Sequence, residues 1–428
     1  MLKSKKRLLE LNSKLAQILL DKGVSATAND TTTELVDKVE QIQTNNYLAS
    51  ISKLIMRSIT ELEIPDSVTR IGSGAFHFCQ SLTSITIPDG VKSIGYAAFS
   101  NCTSLKSVTI PDSVTLIDVY AFSECRSLTE ITIPNSVRIL ETYSFSGCVS
   151  LTNLTIENGV TTIGDYAFSS CKSLTSITIS DNVTSMGRDV FSSTAWYNNQ
   201  PDGLVYAGKV AYKYKGDCPS EVIIKDGTKG IGGGAFYNCK SLTNITIPDG
   251  VTTIGDGAFY YCKSLTRIRI PNSVTSIGDW AFSSCTSLTS ITIGDGVTTI
   301  GRSAFYNCKS LTNITIPDGV TSIGERAFEE CRSLTEITIP DSVTAIGNNA
   351  FFICPNLIDV TLGDGFNVNN VDLSASNKYS QETIVSWLDA LADRTGLASY
   401  TLIIGSNNTA KLSASQIMIA TNKNWVIK

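Results

Sequence analysis

The chain has 428 residues, 17% of them charged, a formal net charge of −5 and a single histidine. That balance leaves no concentrated basic face for nucleic acid, and no apolar run reaches the roughly 18 residues that suggest a membrane-spanning helix. With His77 alone, most Ser-His-Asp, Cys-His and His-metal arrangements also drop out, so no catalytic, cofactor-binding or metal-ligating residue is expected.

Residues 1–57 read as a helical N-terminal segment. Leu8, Leu11, Leu15 and Ile18 fall at heptad-like spacing with Lys and Glu between them. The start resembles a signal peptide, with basic residues from Lys3 to Arg7. Glu10, Asn12, Ser13 and Lys14 then interrupt any apolar stretch, so an amphipathic helix is expected instead. Thr31 and Glu34 form a capping box for a second helix that carries Leu35, Val36, Val39 and Ile42. Leu48 to Met56 is expected to cap the open end of the repeats that follow. The segment is also the candidate contact for a homo-oligomer.

Residues 58–365 repeat. Phe recurs every 23 residues from Phe76 to Phe191, and again from Phe236 to Phe351. A fixed period of this size marks a solenoid, whose units cannot bury their apolar side alone. In the coil Ser81 to Thr103, the alternation Leu82, Ile85, Ile87 predicts a strand, and Pro88-Asp89-Gly90 stops it. Val91 and Ile94-Gly95 give a second short extended segment. Ala98-Phe99 and Cys102 then turn the chain back. Those eight apolar residues are expected to point inward. Parallel strands from thirteen coils would form one long sheet of roughly 60 Å, at about 4.8 Å per strand.

Eleven of the twelve cysteines lie three residues after a repeat Phe, one per coil. With no CxxC and one histidine, buried thiols are expected rather than disulfides or a metal site. Cys218 is out of phase and receives no assignment.

One interruption separates Phe191 from Phe236. Thr194 stands where a Cys is due, and an insertion covers about 196–218. Gly203 to Ala207 and Lys209 to Tyr214 read as a β-hairpin turning at Ala207-Gly208. Val222 and Ile224 restore the phase. Trp196, Tyr197, Tyr206, Tyr212 and Tyr214 concentrate here. They are either a recognition lobe, since aromatics anchor interfaces, or a local core that patches the broken coil.

The period stops at Gly365, and residues 366–428 read as a small α/β C-terminal cap. A helix is expected from Ser380 to Thr395 and a strand from Tyr400 to Ile404. A short helix opened by Ser413 and Gln416 runs through about Thr421, and a last strand begins at Trp425.

The pattern LxxIxI, then P-x-x-V-x-x-I-G-x-x-A-F-x-x-C, closely resembles the BspA-like leucine-rich repeat family over about 300 residues. The resemblance implies a β-rich leucine-rich repeat solenoid, a right-handed superhelix or arc. A helical segment would cap its N-terminal end and an α/β cap its C-terminal end. It also implies an adhesin-like bacterial protein binding matrix proteins or cells, secreted or displayed by a route other than a signal peptide. The segment from Lys22 to Ile42 resembles N-terminal parts of phage tail-associated proteins. The C-terminal segment from Thr401 resembles modules of prophage and gut-bacterial repeat proteins. These offer the alternative of a virion component, with a purely structural spacer as a third reading.

The two outward positions of each strand are the candidate binding face. The second is Thr in ten coils, broken only by Glu63, Ile223 and Arg269; the first varies. A Thr column is also what β-propensity alone would put on a solvated sheet. Candidate partner-binding residues are Glu61, Glu63, Glu130, Arg267, Arg269 and Glu336 on this face, with the five hairpin aromatics. The expected partner is a protein or a glycan, with no nucleic acid, membrane span or cofactor.

Overall fold

The computed structural model describes residues 59–374 and 376–428. The helices and the oligomer contact expected within residues 1–57 lie outside the described residues, as does the phage-like N-terminal segment.

Each 23-residue coil contributes a three- or four-residue strand, a turn, a two-residue strand and a run of tight turns. In the coil starting at Ser81, the strands are Ser84–Thr86 and Ser93–Ile94. Leu82, Ile85, Ile87, Val91, Ile94, Ala98, Phe99 and Cys102 are all buried, as the alternation and spacing require. Thirteen such first strands run from Glu61–Glu63 to Asp359–Leu362. Stacking leaves few backbone groups to find partners elsewhere. The Phe76 amide donates to Ala98 at 2.7 Å and the Phe99 amide to Ala121 at 2.7 Å, so even the turns pair from coil to coil.

The single long sheet expected from the sequence is replaced by two parallel ladders of different continuity. The two-residue strands pair without a break in two runs of six, one forming a six-stranded sheet and the other an eight-stranded sheet completed by the two hairpin strands. The first strands divide into sheets of two or three. The divisions fall where the bond entering the strand is stretched. Thr129 N–H lies 3.3 Å from the Lys106 carbonyl, Thr266 3.3 Å from Thr243, and Thr312 3.4 Å from Thr289. Within intact sheets Thr83 reaches Thr60 at 2.8 Å and Thr335 reaches Thr312 at 2.9 Å. A strand of three residues has too few bonds to hold its pairing when one weakens.

The core is a spine of Phe rings. From Phe76 to Phe191 and from Phe236 to Phe351, neighbouring rings stack with centroids 5.0–5.8 Å apart and planes within 13°. Burial of each ring contributes about 1.5–3 kcal/mol. The thiols line the same interior, and nine donate to the carbonyl of the Phe 26 residues earlier at 3.1–3.3 Å, as Cys102 does to Phe76. The glycine after the second strand lets coils approach. A Cβ on Gly301 would lie 2.6 Å from the Gly278 carbonyl carbon.

The insertion is a hairpin of Gly203–Ala207 and Val210–Lys215, with the turn at Gly208-Lys209, one residue later than expected. Gly208 sits at φ 58° and supplies the left-handed conformation that a two-residue turn needs. Val210–Lys215 also pairs in parallel with Gly230–Ile231, so the hairpin joins the second ladder.

After Asp359–Leu362, a helix at Gln381–Ala390 lays Ile384, Trp387 and Leu388 against the last coil, and Trp387 Nε1 donates to the Val360 carbonyl. This helix ends earlier than expected. Ala390 accepts from the Phe366 amide at 2.8 Å, and Leu391 turns extended. The strand Tyr400–Ile403, the Ser413-capped helix Ala414–Asn422 and the strand Trp425–Ile427 complete the end.

Candidate interaction surface

Outward positions follow from the strand period of two. In Arg267–Arg269, for example, the central Ile268 is buried and both arginines are exposed. The same holds at Glu61, Glu63, Glu130 and Glu336, all exposed. These candidates do not converge. Glu61 and Glu63 are on the first described strand, Glu130 three coils on, and Glu336 three coils beyond Arg267. Glu336 lies in register with Asp359 and Asn313, giving a local acidic pair.

Around the arginines the face has more to offer. Arg267 and Arg269 border a shallow depression of about 390 Å³ shared with Asn244, Thr246, Ser290 and Thr292. Arg269 Nη1 pairs with Asp249 Oδ1 at 3.0 Å. Asp249 belongs to the Pro-Asp-Gly turn of the previous coil and appeared in the sequence only as a turn former. Ile223 stands in the same column as Thr246 and Arg269 and is 79% exposed, the most exposed large apolar side chain among the described residues. Its only sequence signal is that it breaks the Thr column.

The hairpin aromatics are placed differently. Tyr212 is fully buried and offers nothing to a partner, which corrects its candidacy. Its hydroxyl accepts from the Phe191 amide at 2.9 Å, its ring packs edge-on against Phe191 at 5.6 Å, and burial pushes its phenol well up. Trp196 and Tyr197 are half-buried around it. Tyr206 accepts from the Lys225 amide at 3.0 Å while the Lys225 ammonium sits 3.8 Å over its ring. Tyr214 packs on Phe236 at 6.2 Å. Trp196 and Tyr197 thus pack with Tyr212 on the core of the preceding coils, and Tyr206 and Tyr214 pack on the core of the following ones.

A second surface row went unread in the sequence. Tyr120, Tyr143 and Tyr166 stack at 5.0 and 4.8 Å, with Tyr96 edge-on to Tyr120 at 5.8 Å. The first three occupy left-handed backbone, φ 56–58°. Their 23-residue recurrence was visible; their conformation was not. Among the described residues, no three His, Cys, Asp or Glu side chains gather as metal ligands, and no helix is long and apolar enough to cross a membrane.

Comparison with known proteins bears on the repeat. No curated protein matches the chain. Solved structures do. A leucine-rich repeat protein from Bacteroides ovatus is 32% identical, with 71% of this chain and 79% of that one covered, at a TM-score of 0.33. A leucine rich cell surface protein from Faecalibacterium prausnitzii is 32% identical, with 71% and 88% covered, at 0.33. A leucine-rich repeat protein from Eubacterium ventriosum is 27% identical, with 77% and 86% covered, at 0.39. The family model of the BspA type leucine rich repeat region matches residues 52–135, 92–200, 207–312 and 279–385. With its 23-residue period, its inward Phe and Cys columns and that match over most of its length, the chain belongs to the BspA type leucine rich repeat family.

Proposed function

We propose that the protein is a non-enzymatic interaction scaffold that binds a protein partner on its strand face, centred on Ile223, Arg267 and Arg269. The observation that carries this reading is a basic and apolar break in a strand face whose other outward positions are Ser, Thr, Asn or acidic residues. Two guanidinium groups and an exposed Ile stand on strands three coils or fewer apart, beside a depression. Arginine forks bind carboxylates in pairs, and an exposed Ile beside them adds an apolar anchor. The fitting partner is a segment presenting Asp or Glu next to an apolar side chain. An adhesin-like role is the version that family membership favours, and a glycan is the competing ligand.

A displayed peptide library selected on the full-length protein tests this. Enriched peptides are expected to carry acidic residues beside an apolar one. They should lose binding on R267E/R269E and weaken on Ile223→Asp, with far-ultraviolet circular dichroism unchanged. Equal binding to the charge-reversed protein would remove this face from consideration.

A further inference from the structure

Cys218 leaves the insertion hairpin half-exposed and packs against the core of the following coils. Its neighbour in the stack is Cys239, a member of the apolar cluster on which Cys218 packs. Cys239 departs from the regular ladder. The residue 26 positions before it is Lys213 on the hairpin strand instead of a core Phe. Tyr214 explains why Cys218 is there. Its amide donates to the Ala235 carbonyl at 2.7 Å, the bond a repeat Phe makes elsewhere, so Tyr214 stands for the missing Phe and Cys218 for the missing Cys, one residue late. Backbones of stacked coils lie about 4.8 Å apart, inside the roughly 4.4–6.8 Å that a disulfide spans between Cα atoms.

We propose that Cys218 and Cys239 form a dithiol site that a small-molecule disulfide of the glutathione type oxidises to an intramolecular disulfide, locking the hairpin onto the coils that follow it. The regular ladder pairs are fully enclosed, with each thiol of Cys125, Cys148, Cys285, Cys308 and Cys331 donating to a carbonyl and pushed well up by burial. Cys218 has the solvent access they lack, and Cys239 holds its thiol below the usual range, while the same contact and burial push the Cys239 thiol up until Cys218 is capped. The Cys218 thiolate attacks one sulfur of the glutathione disulfide. One glutathione leaves as its thiolate and takes up the proton Cys218 lost. Cys239 gives up its proton to solvent, attacks the Cys218 sulfur and displaces the second glutathione. Two protein thiols are oxidised to one disulfide, and one glutathione disulfide is reduced to two thiols.

The test incubates the full chain with glutathione disulfide and maps peptides by mass spectrometry without reduction. The expected product links the Cys218 peptide to the Cys239 peptide with loss of two hydrogens. Cys218, expected to react with a thiol reagent in the untreated native protein, should no longer do so. Cys239→Ser should stop at a glutathione adduct on Cys218, and Cys218→Ser should take up none. A wild-type chain that ends with unlinked glutathione on Cys218, links Cys218 elsewhere, or stays unmodified overturns the proposal. The wild-type map decides this even if a variant fails to fold.

Discussion

A coil in the middle of the stack and the splice between Phe191 and Phe236 solve one problem in two ways. In the regular coil, the groups of one turn are satisfied by the next turn. The Phe259 amide donates to the Ala281 carbonyl, and the Phe259 carbonyl accepts from Cys285 Sγ. At the splice the following coil is missing, and side chains take over. Tyr212 Oη accepts from the Phe191 amide at 2.9 Å, and Thr194 Oγ1 donates to the Phe191 carbonyl at 2.7 Å. The core divides at this point, one cluster ending at Tyr212 and the other beginning at Ala211. Repetition therefore stabilises through many equivalent neighbours, whereas the splice depends on a few particular atoms.

The comparison can be strained most by alkali. Burial raises Cys125, Cys285, Cys308 and Cys331 of the ladder well above the 9.0 of an open thiol, and Cys102 to about 12. Above pH 9 the unfolded chain releases these protons and the folded chain keeps them, so stability falls as pH rises. The loss is about 1.4 kcal/mol per pH unit for each fully buried thiol. Several thiols act together, so urea midpoints should drop steeply between pH 9 and pH 10.5. They should stay level below pH 8.5. A flat alkaline limb would mean that the ladder opens in the folded state.

A smaller effect separates the two regions directly. Phe282→Ala, inside the regular spine, should cost about 3–5 kcal/mol in a single cooperative transition. Tyr212→Phe removes one oxygen, leaves the Phe191 amide buried without a partner, and should cost about 1–3 kcal/mol. Because it acts where the core divides, its thermal melt should split into two steps by calorimetry. One sharp transition would show that the two clusters are joined by more than the splice.

The smallest effect has the opposite sign. Ile353 is β-branched yet sits at φ 56° in a position that other coils give to Asn238, Asn307 or Gly147. Ile353→Asn should stabilise by about 1 kcal/mol, read as a higher urea midpoint. The side chain is only half-buried, so little packing is lost.

What the sequence made legible is what repetition amplifies. Eight inward columns and thirteen strands each recur often enough to be read from spacing alone. Cys218 and Tyr214 were unreadable for the converse reason: Tyr214 falls 23 residues after Phe191 but puts a Tyr in the Phe column, and Cys218 stands one residue late for the Cys column. Tyr212 looked like a surface aromatic because nothing local shows that an incoming strand will bury it. The divided first ladder depends on differences of a few tenths of an ångström in hydrogen-bond length, which apolar patterning does not encode. On the binding face, the Thr column and its breaks could be read directly. The depression, the Asp249 pair and the exposure of Ile223 required three turns to be stacked.

Outside the splice, each turn of this protein bonds to the turn before and the turn after in nearly the same way, and the step is 23 residues. A gene that gains or loses one such segment would leave every interior contact with an equivalent partner. Only the separation between surface features would change, by about 4.8 Å for each segment. The distance from the arginine pair to a surface feature several turns away is thus a heritable length, adjustable in whole increments.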